Sequence, residues 1–278
     1  MYKKDIKSIK FLVFCILLYI FLISLSKTVF SQIIIDKAKI KLDVFEGQTI
    51  SDSITVNNLS DKEIKVRVYP QDFVYLPPFD GSKNFLPLGS TPNSCARWLN
   101  FTLQEFTLPP YGMKVFNYSI NVPWGVSGGY YAVLFFETSP TPFPMENKDI
   151  ELNFAQRVGC LFFLESENKI KKGEVEVVFV KDNFIEGNFG NRGNTILTPD
   201  TVFYIMDREG LIIDRGNLDT FYIPPQEKFT FTINLPENLP KGEYTVVINF
   251  DLDGDFIVKE IDLVKDLAGK LIIREIRD

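Results

Sequence analysis

Apolar and polar residues alternate along most of this chain with a period of two, which predicts β-strands. The clearest stretch, residues 116–137, reads FNYSINVPWGVSGGYYAVLFFE. A second copy, FTFTINLPENLPKGEYTVVINF, begins 113 residues later and aligns without a gap. In both copies an alternating run stops at a proline, passes a glycine and re-enters a β-branched and aromatic run. The repeat predicts strand, corner and strand twice, and so two sandwiches in tandem.

The repeat also aligns the residues of the corner. Gly129 falls on Gly242, and Tyr131 falls on Tyr244. In immunoglobulin-like sandwiches a tyrosine near the start of the penultimate strand holds such a corner through its hydroxyl group. We therefore predict that Gly129, Tyr131, Gly242 and Tyr244 are structural corner residues.

The whole pattern predicts an all-β fold of two tandem immunoglobulin-like β-sandwich domains after an N-terminal signal segment. A length of 278 residues is sufficient for two domains that each bury a core. Domain one is expected at 33–165 and domain two at 172–265, joined by a polar linker at 166–171. The tail at 266–278 fits either a short helix or a trailing strand.

Two proline-rich pieces of domain one predict loops. Residues 72–96 form the longest irregular piece, and a loop of that length in a small sandwich is either functional or mobile. Residues 139–149 contain three prolines and predict an extended loop. The alternation that starts at Ile150 continues to Leu164, which predicts one long last strand for domain one.

The first 31 residues have the composition of an export signal. Lysines at positions 3, 4, 7 and 10 precede an apolar run over residues 11–25, and Val29 and Ser31 are small residues at a potential cleavage site. This pattern is typical of a secretory signal peptide, and an uncleaved membrane anchor is the alternative. We therefore expect an extracytoplasmic protein, in the periplasm or at the cell surface, with no other contact with the membrane.

Charge and chemistry argue against several classes of function. Five of the 30 basic residues and one of the 36 acidic residues lie in the first 31, so the remaining chain carries a net charge of −10, which disfavours nucleic acid. The chain has no histidine, so the GVSGG stretch at 125–129 lacks the base that a serine nucleophile needs. Asp253 and Gly254 predict a hairpin turn and not a calcium loop. Cys95 and Cys160 are expected to be two separate thiols. The sequence thus predicts a non-enzymatic protein without a metal or cofactor.

Domain one resembles the periplasmic pilus chaperones of the PapD kind, which consist of two immunoglobulin-like sandwiches. The likeness covers most of residues 36–164. Residues 41–58, with Glu-Gly-Gln at their turn, look like the first two strands of that family, and residues 106–110 are similar to its Pro-Pro segment. Residues 150–163 resemble its long last strand.

The resemblance implies a binding site. In those chaperones the last strand lends alternating apolar side chains to a fimbrial subunit that lacks a strand of its own. Ile150, Leu152 and Phe154 occupy the matching places, although a half-buried structural strand would show the same alternation. The family also anchors the terminal carboxylate of the subunit with an arginine on the first strand and a lysine on the last. Lys41 lies near the first position, and Gly159 replaces the second, with Arg157 two residues away as the expected helper of Lys41.

Two functions therefore remain open at this point. The first is an exported, chaperone-like protein that captures surface or pilus-type protein partners by β-strand addition. The alternative is a cell-surface or cell-wall binding module with a structural or adhesive role, which would use the 72–96 loop.

Overall fold

The structure is a computed structural model that describes residues 32–143 and 152–278, in which nearly all of the regular secondary structure is β-strand. Its one short helical element is a 3-10 turn at Ala96–Trp98. The signal segment at 1–31 and the proposed partner-binding residue Ile150 lie outside the described residues. Within the described ranges, no helix is long and apolar enough to cross a membrane.

Twelve strands belong to domain one. They are β1 (Ile33–Ile35), β2 (Lys39–Val44), β3 (Thr49–Asn58), β4 (Ile64–Tyr75), β5 (Lys83–Leu86), β6 (Leu99–Asn100), β7 (Glu105–Leu108), β8 (Met113–Asn121), β9 (Gly129–Thr138), β10 (Thr141–Phe143), β11 (Leu152–Phe154) and β12 (Arg157–Ser166).

These strands form two facing sheets and a small hairpin. One sheet has the order β1-β3-β8-β6, and the other has the order β2-β12-β9-β4-β5, with β7 also on β4. Strands β10 and β11 pair only with each other. The inward side chains of both sheets meet in one core, in which the rings of Phe116 and Phe136 pack edge to face at 5.3 Å. The predicted opening strand is divided between the sheets, because β1 pairs antiparallel with β3 while β2 pairs parallel with β12.

Domain two has eight strands. They are β13 (Gly173–Lys181), β14 (Phe184–Asn191), β15 (Asp200–Asp207), β16 (Ile212–Asn217), β17 (Lys228–Asn234), β18 (Gly242–Asp251), β19 (Phe256–Lys265) and β20 (Leu271–Arg277). Their sheets have the orders β13-β14-β17 and β16-β15-β18-β19-β20, and enclose a second core. The fold class predicted from the pattern, two tandem immunoglobulin-like sandwiches, is thereby confirmed.

The two copies of the repeat occupy the same place in the two sandwiches. The first contains β8 and β9, and the second contains β17 and β18. In each copy the first strand belongs to one sheet and the second strand to the facing sheet. The proline and glycine therefore lie where the chain crosses from sheet to sheet, and so both copies need a corner.

A third apolar cluster lies on the outer face of the β9 sheet. It contains buried aromatic residues of β4, β9 and β12 and the loop residue Phe79. Ile196, Tyr222 and Phe229 of domain two pack against it. Since the other face of β9 belongs to the core of domain one, this strand is buried on both sides, and its sequence, GYYAVLFFET, has lost the alternation.

Three segments differ from their predicted local structure. Residues 72–86, predicted as part of a loop, form the end of β4 and its hairpin partner β5, because Phe73 and Tyr75 fill the third cluster. The predicted loop at 139–149 includes strand β10, which pairs with β11. The long last strand is interrupted at residues 155–156, which separate β11 from β12. The tail is a strand, β20, paired antiparallel with β19.

Because each domain has its own core, we expect a core mutation to change the stability of its own domain. Phe162 and Phe250 are both fully buried, Phe162 in the first core and Phe250 in the second. We expect Phe162→Ala and Phe250→Ala each to lower the stability of its own domain by about 3–5 kcal/mol. Both tryptophans, Trp98 and Trp124, belong to domain one, so tryptophan fluorescence during urea unfolding reports that domain. An equal shift of this transition by Phe250→Ala would show that the sandwiches unfold as one unit.

Candidate functional site

Strand β12 has a different environment on each of its two edges. On one side it pairs with β9 over its length, from Arg157 opposite Glu137 to Glu165 opposite Gly129. On the other side β2 pairs only with Leu161–Ser166. Among the described residues, no strand pairs with the second edge at residues 157–160. We call these four residues the open edge.

Backbone geometry shows which groups face outward there. The Leu161 N–H donates to the Ala38 carbonyl at 3.0 Å on the β2 side, while the Gln156 carbonyl accepts from the Thr138 N–H at 2.9 Å on the β9 side. Because strand residues alternate in direction, the odd-numbered Arg157 and Gly159 direct their N–H and C=O groups to the β2 side. On that side β2 pairs with β12 from Leu161 onward, and among the described residues no strand pairs with the open edge.

The predicted donor residues lie on the approach to this edge. Leu152 and Phe154 belong to β11, where Phe143 lies opposite Leu152 and Thr141 opposite Phe154. The Phe154 side chain is 57% exposed. The register between the two strand pairs shifts by one residue after Thr138, since Thr138 lies beside Gln156 and Thr141 pairs with Phe154. The edge is therefore two short segments and not one continuous strand.

Gln156 occupies the break between the two segments. Its side-chain carbonyl accepts hydrogen bonds from the backbone N–H groups of Gln32, at 2.6 Å, and Ile33, at 3.1 Å. Its own N–H donates to Thr138 Oγ1 at 2.9 Å. These bonds hold the first described residues of β1 next to the start of β12, which explains why the strand interrupts at this point.

The structure places Lys41, the predicted anchor, away from Arg157, its expected helper. Lys41 lies opposite Phe163 in the β2–β12 register, six residues from Arg157, or about 20 Å along a strand. The Arg157 guanidinium instead lies 4.2 Å from the centre of the Phe135 ring. Gly159 lies under the same ring, since a Cβ atom there would meet Phe135 Cε1 at 2.9 Å. A lysine at position 159 would have no space without movement of that ring.

Lys41 lies in a cleft between the two domains. Its Nζ atom is 3.2 Å from Asp253 Oδ2, and Lys171 forms a second ion pair with the same oxygen. Asp253 belongs to the hairpin between β18 and β19, where its φ of 63° fits the predicted tight turn. The cleft encloses a cavity of about 190 Å³, which Lys39 and the buried Glu165 also line. We call this space the interdomain cleft.

The sequence only partly predicts that Asp253 and Lys171 lie next to Lys41. The Asp253-Gly254 turn was predictable as a turn, but no local pattern shows that its carboxylate reaches the other domain. Lys171 belongs to the charged linker, where an isolated lysine has no distinguishing neighbour. The contact depends on how two separately folded sandwiches pack together.

The two corner tyrosines make different hydrogen bonds. The Tyr244 hydroxyl donates to the Pro240 carbonyl at 2.7 Å, a bond within its own corner. The Tyr131 hydroxyl accepts from the Ile196 N–H of domain two at 2.7 Å, and burial raises the pKa of this phenol. The Gly129 N–H donates to the Asn194 carbonyl at 3.0 Å. The corner of domain one is thus a contact between the domains, whereas Gly242 and Tyr244 lie in a corner of domain two.

The 72–96 segment is held in place by its own contacts. The buried Asp72 carboxylate accepts from the Thr91 N–H at 2.8 Å and the Ser94 hydroxyl at 2.6 Å. Tyr75 stacks on Tyr222 of domain two with ring centres 4.7 Å apart. Much of this segment, the proposed surface of a wall-binding module, therefore packs against domain two.

The two cysteines and the serine of the GVSGG stretch have the following surroundings in the structure. In the described part of the chain no cluster of three or more His, Cys, Asp or Glu residues could hold a metal ion. Cys95 and Cys160 are both buried free thiols, and burial raises the pKa of Cys160 to about 12. Ser127 lies in a loop between two strands, where its N–H donates to the Tyr130 hydroxyl.

Comparisons with known proteins give a structural match only. No protein-family model matches the sequence, and no curated protein matches it. One solved chain, from a chaperone–tip adhesin complex of CFA/I fimbriae biogenesis, is 16% identical, with 82% of this chain and 97% of that chain covered and a TM-score of 0.50. The class 5 fimbriae chaperone CfaA is 15% identical, with coverages of 81% and 97% and a TM-score of 0.49. A chain of the CsuC–CsuE pre-assembly complex from Acinetobacter baumannii is 9% identical, with coverages of 83% and 98% and a TM-score of 0.44.

At 16% identity the first of these likenesses shows a shared fold and no more. That fold is also the fold of the pilus chaperones that domain one resembles, so the resemblance read from the sequence is confirmed at the level of the fold. The binding partners of those proteins are properties of those proteins alone. The function of this chain depends on the surfaces of this chain.

The ion pairs of the interdomain cleft predict a measurable titration. Lys171 first, and then Lys41, lower the pKa of Asp253 below its usual value of 3.8. Because the folded-state pKa is depressed, the stabilisation is fully present above the usual value and is lost as the pH falls through the lowered pKa. We expect Lys171→Gln to raise the Asp253 pKa more than Lys41→Gln, as measured by carboxyl carbon NMR. Lys65→Gln, which removes an ion pair with Glu105, is the control and should leave this pKa unchanged.

Proposed function

We propose that this chain is an extracytoplasmic, chaperone-like binding protein that captures a protein client by β-strand addition at the open edge. The observation on which this proposal depends is the half-paired strand β12. Its outward backbone groups at Arg157 and Gly159 have the spacing that an added strand requires. The neighbouring β11, with Leu152 and the exposed Phe154, extends the same side of the chain.

The charge pattern of the neighbouring strand β2 favours the open edge as the binding position. Strand β2, also at the border of this sheet, carries Lys39, Lys41 and Asp43 at alternate positions. Charged residues on an edge strand disfavour pairing with another chain. The open edge has the uncharged residues Val158 and Gly159 at its centre, next to Arg157.

Apolar side chains of β11 would provide the specificity. Each side chain that becomes fully buried in a client contributes roughly 1.5–3 kcal/mol. The loss of one such contact therefore weakens binding about tenfold or more. Backbone hydrogen bonds along the open edge would supply affinity for any extended segment, and pockets on the client would select among them.

Lys41 would take the terminal carboxylate of a client by exchange. In the free protein this lysine already contacts a carboxylate, that of Asp253. A client carboxylate must displace Asp253 or share the cleft with it, and Lys171 can hold Asp253 during the exchange. The cleft differs in this respect from the pair of Lys41 and Arg157 predicted from the sequence.

The first test separates donation from a structural role. The client is first identified by pull-down of the chain without its signal segment from envelope extract, followed by mass spectrometry. Leu152→Glu and Phe154→Glu are then measured for client capture and, by circular dichroism, for folding. We expect both variants to remain folded and to lose client binding about tenfold or more. Phe256→Glu, at a similarly exposed phenylalanine of domain two, is the matched control and should bind normally.

Two results would reject the proposal. If both glutamate variants unfold the isolated protein, the β11 residues are core residues. If both fold and still capture the client with unchanged affinity, the added strand does not use this segment.

The exchange at Lys41 predicts opposite effects for its two partners. Lys41→Gln should weaken client capture by about two- to fivefold, the range for a partly exposed ion pair. Asp253→Asn should strengthen capture by a similar factor, because it removes the competing carboxylate. Amidation of the client's terminal carboxylate should abolish both effects. Weaker capture by both variants would instead show that the ion pair holds the domains in the binding geometry.

A further inference from the structure

Trp124 is an exposed aromatic residue in a fixed position. Its side chain is 79% exposed, although it lies in the corner between β8 and β9. The indole lies over Gly47, because a Cβ atom at that glycine would meet Trp124 Cζ2 at 2.7 Å. Gly47 has a φ of 71°, a left-handed conformation that favours glycine. The ring thus occupies the space of an absent side chain on the turn between β2 and β3.

Backbone hydrogen bonds fix the turn and the corner to each other. The Gly47 N–H donates to the Val122 carbonyl at 3.1 Å, and the Val122 N–H donates to the Gln48 carbonyl at 2.9 Å. Trp124 follows Val122 by two residues, so these hydrogen bonds keep its backbone close to Gly47. The indole is positioned in advance of any contact with a ligand.

A cavity of about 310 Å³ opens beside this indole. The buried side chains of Val44 and Val126 line it, and the exposed Phe45 ring adds a second aromatic surface. Two carboxylates, Glu46 and Glu167, also line it, together with Ser166 and Asn168. We call this set of residues the indole site.

The charges of the indole site are not balanced within the described chain. No lysine or arginine among the described residues forms an ion pair with Glu46 or Glu167. Lys169, the nearest basic residue in sequence to Glu167, pairs with Asp43 and Glu165 instead. An aromatic face next to two uncompensated carboxylates attracts a cation, and the net charge of −10 outside the signal segment adds to that attraction.

We infer that the indole site binds a cationic side chain, arginine or lysine, of a peptide segment. The guanidinium or ammonium group would lie against Trp124 and between the two carboxylates. Arginine suits this site better than lysine because its planar group stacks on an aromatic ring while it donates hydrogen bonds at its rim. The site is separate from the open edge, so the inference does not depend on the proposed strand addition.

The test uses the two tryptophans of the chain as reporters. The protein without its signal segment has two indole N–H signals by nitrogen-15 NMR, which Trp124→Phe assigns. It is titrated with acetyl-Gly-Arg-Gly-amide, and in parallel with acetyl-Gly-Glu-Gly-amide and chitotriose. We expect the arginine peptide to shift the Trp124 signal saturably and to leave that of the buried Trp98 in place. The dissociation constant should rise several-fold when the salt concentration is raised to about 0.5 M.

Matched variants separate the contributions of the two carboxylates and of the indole ring to binding. Glu46→Gln and Glu167→Gln should each weaken binding of the arginine peptide about threefold, and Glu237→Gln, in an exposed loop of domain two, should not. Gly47→Ala retains the tryptophan but displaces its ring, and should reduce binding if circular dichroism shows a folded protein. Absence of a saturable shift of Trp124, an equal response to the glutamate peptide, or a response to chitotriose alone would overturn the inference. The last result would make the site a glycan site.

Discussion

The antiparallel pairing of β12 with β9 is the contact on which the rest of the molecule depends. It joins the last strand of domain one to a strand that is buried on both faces, and so places β12 in the centre of the chain's packing. The same pairing determines which backbone groups of β12 point away from β9. Where β2 meets those groups the sheet is closed, and opposite residues 157–160, before β2 begins, it is open. The register of β12 against β9 therefore determines both the arrangement of the sheet and the position of the candidate site.

Much of the fold was predictable because local chemistry determined it. The corners between the sheets require proline, glycine and tyrosine at fixed places, and these residues recur with the same spacing in both copies of the repeat. The Asp253-Gly254 turn was predictable for the same reason, since few sequences adopt two positive φ angles in succession. Features of this kind depend on neighbours in sequence and need no knowledge of the other domain.

The features that could not be predicted share a different cause, which is packing over long distances. The prolines at 77 and 78 indicated a loop, but Phe73 and Tyr75 next to them belong to a cluster that domain two covers. Arg157 lies near Gly159 in sequence, and only the strand register shows that Lys41 is about 20 Å away. Asp253 reaches Lys41 from the far domain. The candidate edge at β12 was predictable as a strand, but its unpaired part depends on where β2 begins.

The double burial of β9 also constrains how the two sandwiches can change over time. In the first copy, Tyr131, Val133 and Phe135 seal the boundary with domain two, while the equivalents of the last two in the second copy, Val246 and Ile248, line a core. Alternate positions of β18, such as Thr245 and Asn249, are polar and half-buried, but β9 is buried on both faces. The two copies of the repeat therefore cannot replace each other. A recombination that copied the second half over the first would place Thr245 and Asn249 at the core positions of Ala132 and Phe136, and would remove Phe135 from the surface that domain two contacts.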